Sequence, residues 1–143
     1  MTKRDDETAI RAVFETLSAA FRERDAVRIA RQYAPDALIY DLAPPLGHVG
    51  MDTKSLEAWL ATWQGPIEHT IRDLRISTDG DLALAHSLVH VGATTKQGER
   101  AEWWMRATAG LRRANGGWKI VHEHTSVPFH MDGSFRAATD LEP

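Results

Sequence analysis

The chain contains no cysteine, which excludes disulfides, thiolate nucleophiles and sulfur ligation of a metal together. It also lacks any apolar run approaching the ~20 residues that cross a bilayer. Its opening, MTKRDDET, carries charge where a secretory leader would be apolar. An unexported, cytoplasmic protein with no membrane partner is therefore expected. Charge of one sign is missing too: 17 Lys and Arg stand against 20 Asp and Glu, a net charge of −3, with both signs mixed along the chain. A nucleic-acid partner is not expected, because a phosphate backbone calls for a clustered basic face. No glycine-rich phosphate loop, serine nucleophile elbow, internal repeat or low-complexity linker is present. The 143 residues read as a single domain, 1–143, large enough to bury a core unaided.

What is present falls into two halves. From Asp5, the residues Ile10, Val13, Phe14, Leu17 and Phe21 recur at helical spacing behind an acidic first turn. Asp25 caps a shorter second helix that buries Ala26, Ile29, Ala30 and Tyr33 and stops at Pro35. A short strand is predicted over Ala37 to Leu42, followed by the loop APPLGHVG. Asp52 or Thr53 then caps a third helix with Leu56, Trp59, Leu60 and Trp63 on one stripe and Gly65-Pro66 as its end.

Beyond Pro66 the period changes to two. Strands are predicted at 67–77, 82–95, 101–113 and 117–125, joined by the turn signals Asp79-Gly80, Gln97-Gly98 and Asn115-Gly116-Gly117. A slip of the apolar phase between Ile71 and Leu74 predicts a bulge that bends the sheet. Three helices followed by an antiparallel meander give an α+β fold in which helices close one concave face around a cone-shaped cavity.

Three groups of residues could carry chemistry. Asp41 lies among Leu38, Ile39, Tyr40, Leu42 and Pro44-Pro45, where desolvation would make it a general base. It could equally be a strand-end aspartate that accepts backbone N–H groups. Strand alternation puts Trp104, Arg106 and Thr108 on one face and Trp103, Met105, Ala107 and Ala109 on the other. It also puts Trp118, Ile120, His122, His124 and Ser126 on a shared face, one wall of a pocket. If these polar faces meet, a cation, two imidazoles and an indole can hold an oxyanion or a carboxylate. Arg106 could instead pair with Glu102 or Glu123. A metal on His122 and His124, with His48 or with His86 and His90, lacks a supporting cysteine or close His/Glu pair, and no metal or other cofactor is expected.

The order of elements, with YDLAPPLGHVG, WWMRATAG and NGGWKIVHEHTSVPF, resembles the ketosteroid isomerase-like, or SnoaL-like, branch of the nuclear transport factor 2-like superfamily over nearly the whole chain. The resemblance implies a cystatin-like, cone-shaped α+β barrel: three N-terminal helices packed on a strongly curved, mainly antiparallel sheet. It further implies a homodimer formed through the outer sheet face and a small-molecule pocket inside the cone. In ketosteroid isomerases an aspartate after the first strand is the base, and Asp41 occupies the matching place. The tyrosine and protonated aspartic acid of their oxyanion hole are unmatched, since the first helix offers Phe14, Leu17 and Phe21. His124 and Arg106, with Trp104, are expected in that role, with Trp59, Trp63, His122, Ser126 and Tyr40 contacting the substrate. The reaction implied is proton abstraction beside the carbonyl of a small apolar compound, by an isomerase, lyase or polyketide cyclase-like enzyme. VHEHTS also resembles the association domain of calcium/calmodulin-dependent kinase, which implies instead a non-catalytic module that binds a carboxylate ligand or oligomerises. The tail from Phe129 to Pro143 is left unassigned.

Overall fold

The computed structural model describes residues 2–143. Helix α1, Lys3–Arg22, begins in a reciprocal cap: the Thr2 hydroxyl accepts from the Asp5 amide, and the Asp5 carboxylate accepts from the Thr2 amide. Its stripe of Ile10, Phe14 and Leu17 is buried, each contributing roughly 1.5–3 kcal/mol by leaving water. Helix α2, Ala26–Ala30, is capped by Asp25. It stops well short of Pro35, and strand β1, Tyr33–Tyr40, starts at once. Pro35 sits within this strand where the ladder to the last strand is interrupted between Tyr33 and Leu38, so its missing N–H costs no bond.

After β2, His48–Val49, helix α3 runs over Thr53–Leu60 behind an Asp52 cap. It ends before Trp63, which opens β3, Trp63–Asp79. Gly65-Pro66 therefore lies in a strand rather than terminating a helix, again at a register break, here between Gln64 and Glu68. Strands β4, Leu82–Thr95, β5, Arg100–Ala114, and β6, Gly117–Ser126, complete the meander close to the predicted limits. At the last turn Asn115 and Gly116 both take positive φ, 50° and 79°, as a two-residue hairpin of this type demands.

The sheet is open and ordered β2-β1-β6-β5-β4-β3, with β1 and β6 parallel and the other pairs antiparallel. The bulge predicted from Ile71 and Leu74 is present, with a register shift between Arg72 and Arg75 and Asp73 at φ 56°. Helix α1 fills the concave side: Ile10, Phe14 and Leu17 join Val89, Val91, Leu111 and Ile120 in one core. A bidentate ion pair locks its first turn to the sheet, with Arg113 Nη1 and Nη2 donating to Asp6 Oδ1 and Oδ2 at 2.7 and 2.8 Å. The same guanidinium lies 4.6 Å over Trp118. Among the described residues, no helix is long and apolar enough to cross a membrane.

Candidate active site

Strand β6 changes face halfway along. Leu111 pairs with Ile120 but Gly110 pairs with His122, so Val121 is an extra residue. Such a bulge reverses the in–out phase of everything after it. Trp118 and Ile120 are buried in the core, whereas His122, His124 and Ser126 pair with Gly110, Thr108 and Arg106 on the convex side. The expected single wall from Trp118 to Ser126 does not exist. The cause is one inserted apolar residue.

The bulge turns Glu123 inward instead, between Ile39 of β1 and Ala109 of β5, both almost wholly buried. There Tyr33 Oη donates to Glu123 Oε1 at 2.8 Å, while no protein hydrogen bond reaches Oε2 among the described residues. Desolvation pushes the Glu123 carboxyl up to about 7, against the lowering effect of the Tyr33 bond, and the nearby Asp41 charge adds to the rise. Tyr33 is raised well above the usual phenol range, first by burial and then by Glu123, with Asp41 contributing. Asp41 is thus electrostatically close to both.

Asp41 leaves β1 just after its last residue, Tyr40. Its apolar neighbours do not enclose it: 44% of its side chain is exposed. It meets His48, whose Nε2 lies 2.8 Å from Asp41 Oδ2 and whose Nδ1 lies 3.0 Å from the Gly50 carbonyl. With an acceptor at each ring nitrogen, the doubly protonated imidazolium is favoured. The His48 pKa is raised accordingly, chiefly by the Asp41 bond. At this exposure the pair is worth only ~0.2–1 kcal/mol, so its consequence is orientation of the Asp41 carboxylate. An open cleft of about 390 Å³ lies beside β2, lined by Tyr33, Pro35, Val49 and Met51.

The remaining predicted residues are brought together elsewhere. Trp104, Arg106 and Thr108 face outward with His90, Leu88 and His86, and Trp103, Met105, Ala107 and Ala109 face the helices. Arg106 Nε donates to Ser126 Oγ at 3.1 Å, not to Glu102 or Glu123. Tyr40 packs edge-on against His122 and His124, with centroids 5.1 and 5.6 Å apart. Arg106, His124, His122, Ser126, Trp104 and Tyr40 therefore line the convex face, remote from Asp41's side of the sheet. Trp59 and Trp63 meet edge-on at 6.0 Å where α3 gives way to β3, and Phe21 lies 6.4 Å from Trp59. On the convex face, Glu68, His90 and Glu102 cluster within metal-ligand reach. Arg100 already bridges the two carboxylates, to Glu68 at 2.6 Å and to Glu102 at 3.4 Å.

Glu123, Tyr33 and the role of His48 as Asp41's partner were not foreseen as site features. For Tyr33 a signal existed, since a helix stripe cannot be told from a strand start when Pro35 follows two residues later. For Glu123 none did, because Val121 fits either face.

An open six-stranded sheet with helices on its concave side defines an α+β cone of the nuclear transport factor 2-like, or cystatin-like, class. The profile of the SnoaL-like domain matches residues 10–130, and the chain belongs to that family. An NTF2-like protein of unknown function from Pseudomonas putida KT2440 superimposes with a TM-score of 0.85 at 34% identity, over 100% of this chain and 99% of that one. A candidate dehydratase of the NTF2-like family from Streptomyces avermitilis gives 0.76 at 18% identity, over 87% and 97% of the two chains. A candidate calcium/calmodulin dependent protein kinase II association domain from Xanthomonas campestris gives 0.70 at 22% identity, over 82% and 84%. The last two are alike in fold alone. A comparison with curated proteins finds no match.

Proposed function

We propose that the protein is a small-molecule enzyme of isomerase or dehydratase type, acting on a largely apolar carbonyl compound. The observation that supports this most is the meeting of two unlike carboxyl groups in one corner. Asp41 is exposed and paired with the His48 imidazolium, whereas Glu123 is desolvated and bonded to Tyr33. Environments that separate two carboxyls in this way divide the base from the acid. Asp41 takes the proton beside the carbonyl. The developing enolate oxygen receives a hydrogen bond from protonated Glu123 through Oε2, with Tyr33 fixing the carboxyl in place. This assignment replaces the expected donors His124 and Arg106, which lie on the other face of the sheet.

A thermal-shift screen of wild type and Asp41→Asn against ketones, lactones, steroids and simple carboxylates tests the proposal. A ligand at about a hundred times its dissociation constant adds roughly 2.7 kcal/mol. A neutral carbonyl ligand identified this way supplies the assay. Asp41→Asn is expected to abolish turnover without unfolding the protein; full retained turnover would remove Asp41 as the base.

A second reading, a non-catalytic assembly module, is favoured by the convex face, where Leu38, Tyr40, Leu82 and Leu84 are exposed. Beside them run aligned Arg75, His86, Thr108 and His124. We propose that this face meets a second copy of the chain. Leu84→Asp should convert a dimer to monomer in light scattering, and a wild-type monomer at high concentration would refute the pairing.

A further inference from the structure

The bulge at Asp73 opens a second feature, on the opposite margin of the sheet from Asp41. Strands β1 and β3 are four steps apart in the sheet order, about 19 Å at the usual strand spacing. Where β3 bends, a cleft of about 360 Å³ separates it from α1, lined by Arg11, Glu15, Ser18 and Arg22 from the helix and His69 and Asp73 from the strand. The four helix residues stand at i, i+4, i+7 and i+11, one stripe along one face.

His69 forms the floor. It is 6% exposed, stacked on Phe21 with centroids 4.6 Å apart, and its Nδ1 is 2.8 Å from Ser18 Oγ. Ser18, 7% exposed, makes no other side-chain hydrogen bond among the described residues, so its hydroxyl proton goes to Nδ1, and leaving it unmet would cost ~1–3 kcal/mol. Nε2 then carries the ring proton, and no protein acceptor meets it. Burial and the neighbouring Arg22 push the imidazole down to about 4, so at neutral pH it is an uncharged donor. Arg22 donates only to the His69 carbonyl, at 3.3 Å, and it stands in no ion pair among the described residues. Arg11 is engaged by Glu7 at 3.4 Å, and Asp73 by Arg72 at 3.6 Å.

We propose that this cleft is a binding site for a small monocarboxylate with an apolar body. Arg22 and the His69 Nε2–H grip the carboxylate, and Phe14, Ile71 and Leu74, which also line the cleft, receive the body. Glu15 and Asp73 set the charge limit. Each repels an anion in proportion to its charge, and phosphate, which has no apolar body to set against Phe14, Ile71 and Leu74, binds more weakly than a monocarboxylate. The site is independent of the chemistry assigned to Asp41.

Titration of the ¹⁵N-labelled protein with benzoate, and separately with inorganic phosphate, tests this. Saturable benzoate shifts at the His69 ring and Arg22 Nε are expected, at least tenfold weaker in Arg22→Gln and unchanged in Asp41→Asn. Arg22 is exposed, so its replacement leaves the fold intact. Shifts that never saturate, equal affinity in Arg22→Gln, equal binding of phosphate, or loss of binding in Asp41→Asn would each overturn the proposal.

Discussion

Replacing Glu123 with Gln gives a stability change whose size follows from the site. The amide oxygen can still accept the Tyr33 hydroxyl, so the 2.8 Å bond is kept, and only the ionisation is removed. The Glu123 carboxyl rises from 4.5 to about 7 on folding, which at 1.36 kcal/mol per pH unit corresponds to about 3 kcal/mol. The folded pKa is the higher one, so this contribution is fully present below pH 4.5 and is lost as pH rises through about 7. Wild type should therefore weaken between those limits relative to the variant. Urea unfolding of both proteins at pH 4.5 and pH 8 isolates the effect, because His48 and His69 titrate alike in the two and cancel in the difference. The expected result is near-equal stability at the lower pH and a variant more stable by up to about 3 kcal/mol at the higher, with unchanged m. A difference that does not vary with pH would refute the assignment of Glu123 as the buried acid.

Deleting Val121 should remove the bulge while leaving His122 outward and Glu123 inward, because His122 then follows Ile120 directly, opposite Gly110; the check is a cooperative melt with the pH dependence of Glu123 retained, and loss of both would mean that Val121 is not the extra residue. His69 is lowered from 6.5 to about 4, so its contribution is present above pH 6.5 and lost as pH falls towards 4, about 3 kcal/mol in all. His69→Gln should blunt this acid destabilisation in urea melts, and an identical acid limb would contradict it. Arg113→Ala frees the nearly buried Asp6 carboxylate and uncovers Trp118, so it should lower the melting temperature and raise the Asp6 pKa, read by NMR.

The meander was legible because turn chemistry and period two are local signals: Asn115-Gly116 specifies its hairpin whatever surrounds it. The bulge near Asp73 was legible because apolar residues on both sides of it fall out of phase. The bulge at Val121 was hidden, since valine suits a buried or an exposed position and histidine either face, and only pairing with β5 decides. Asp41 was found at a strand end for local reasons, yet its partner His48 and the inner acid Glu123 are supplied by the loop and by β6. Pro35 and Pro66 misled in the same way: each marks a gap in a ladder, and the sequence alone suggested the end of a helix.

The parallel pairing of β1 with β6 also bears on when the site comes into being. Tyr33 and Glu123 are 90 residues apart in the chain, and the strands that carry them are adjacent only because the last long strand inserts beside the first. Contacts this distant form late, after the local hairpins have closed. On the ribosome, the N-terminal helices and β1 must wait, with one flank of β1 unmatched, until β6 has emerged. A product truncated before β6 therefore lacks the Tyr33–Glu123 bond altogether.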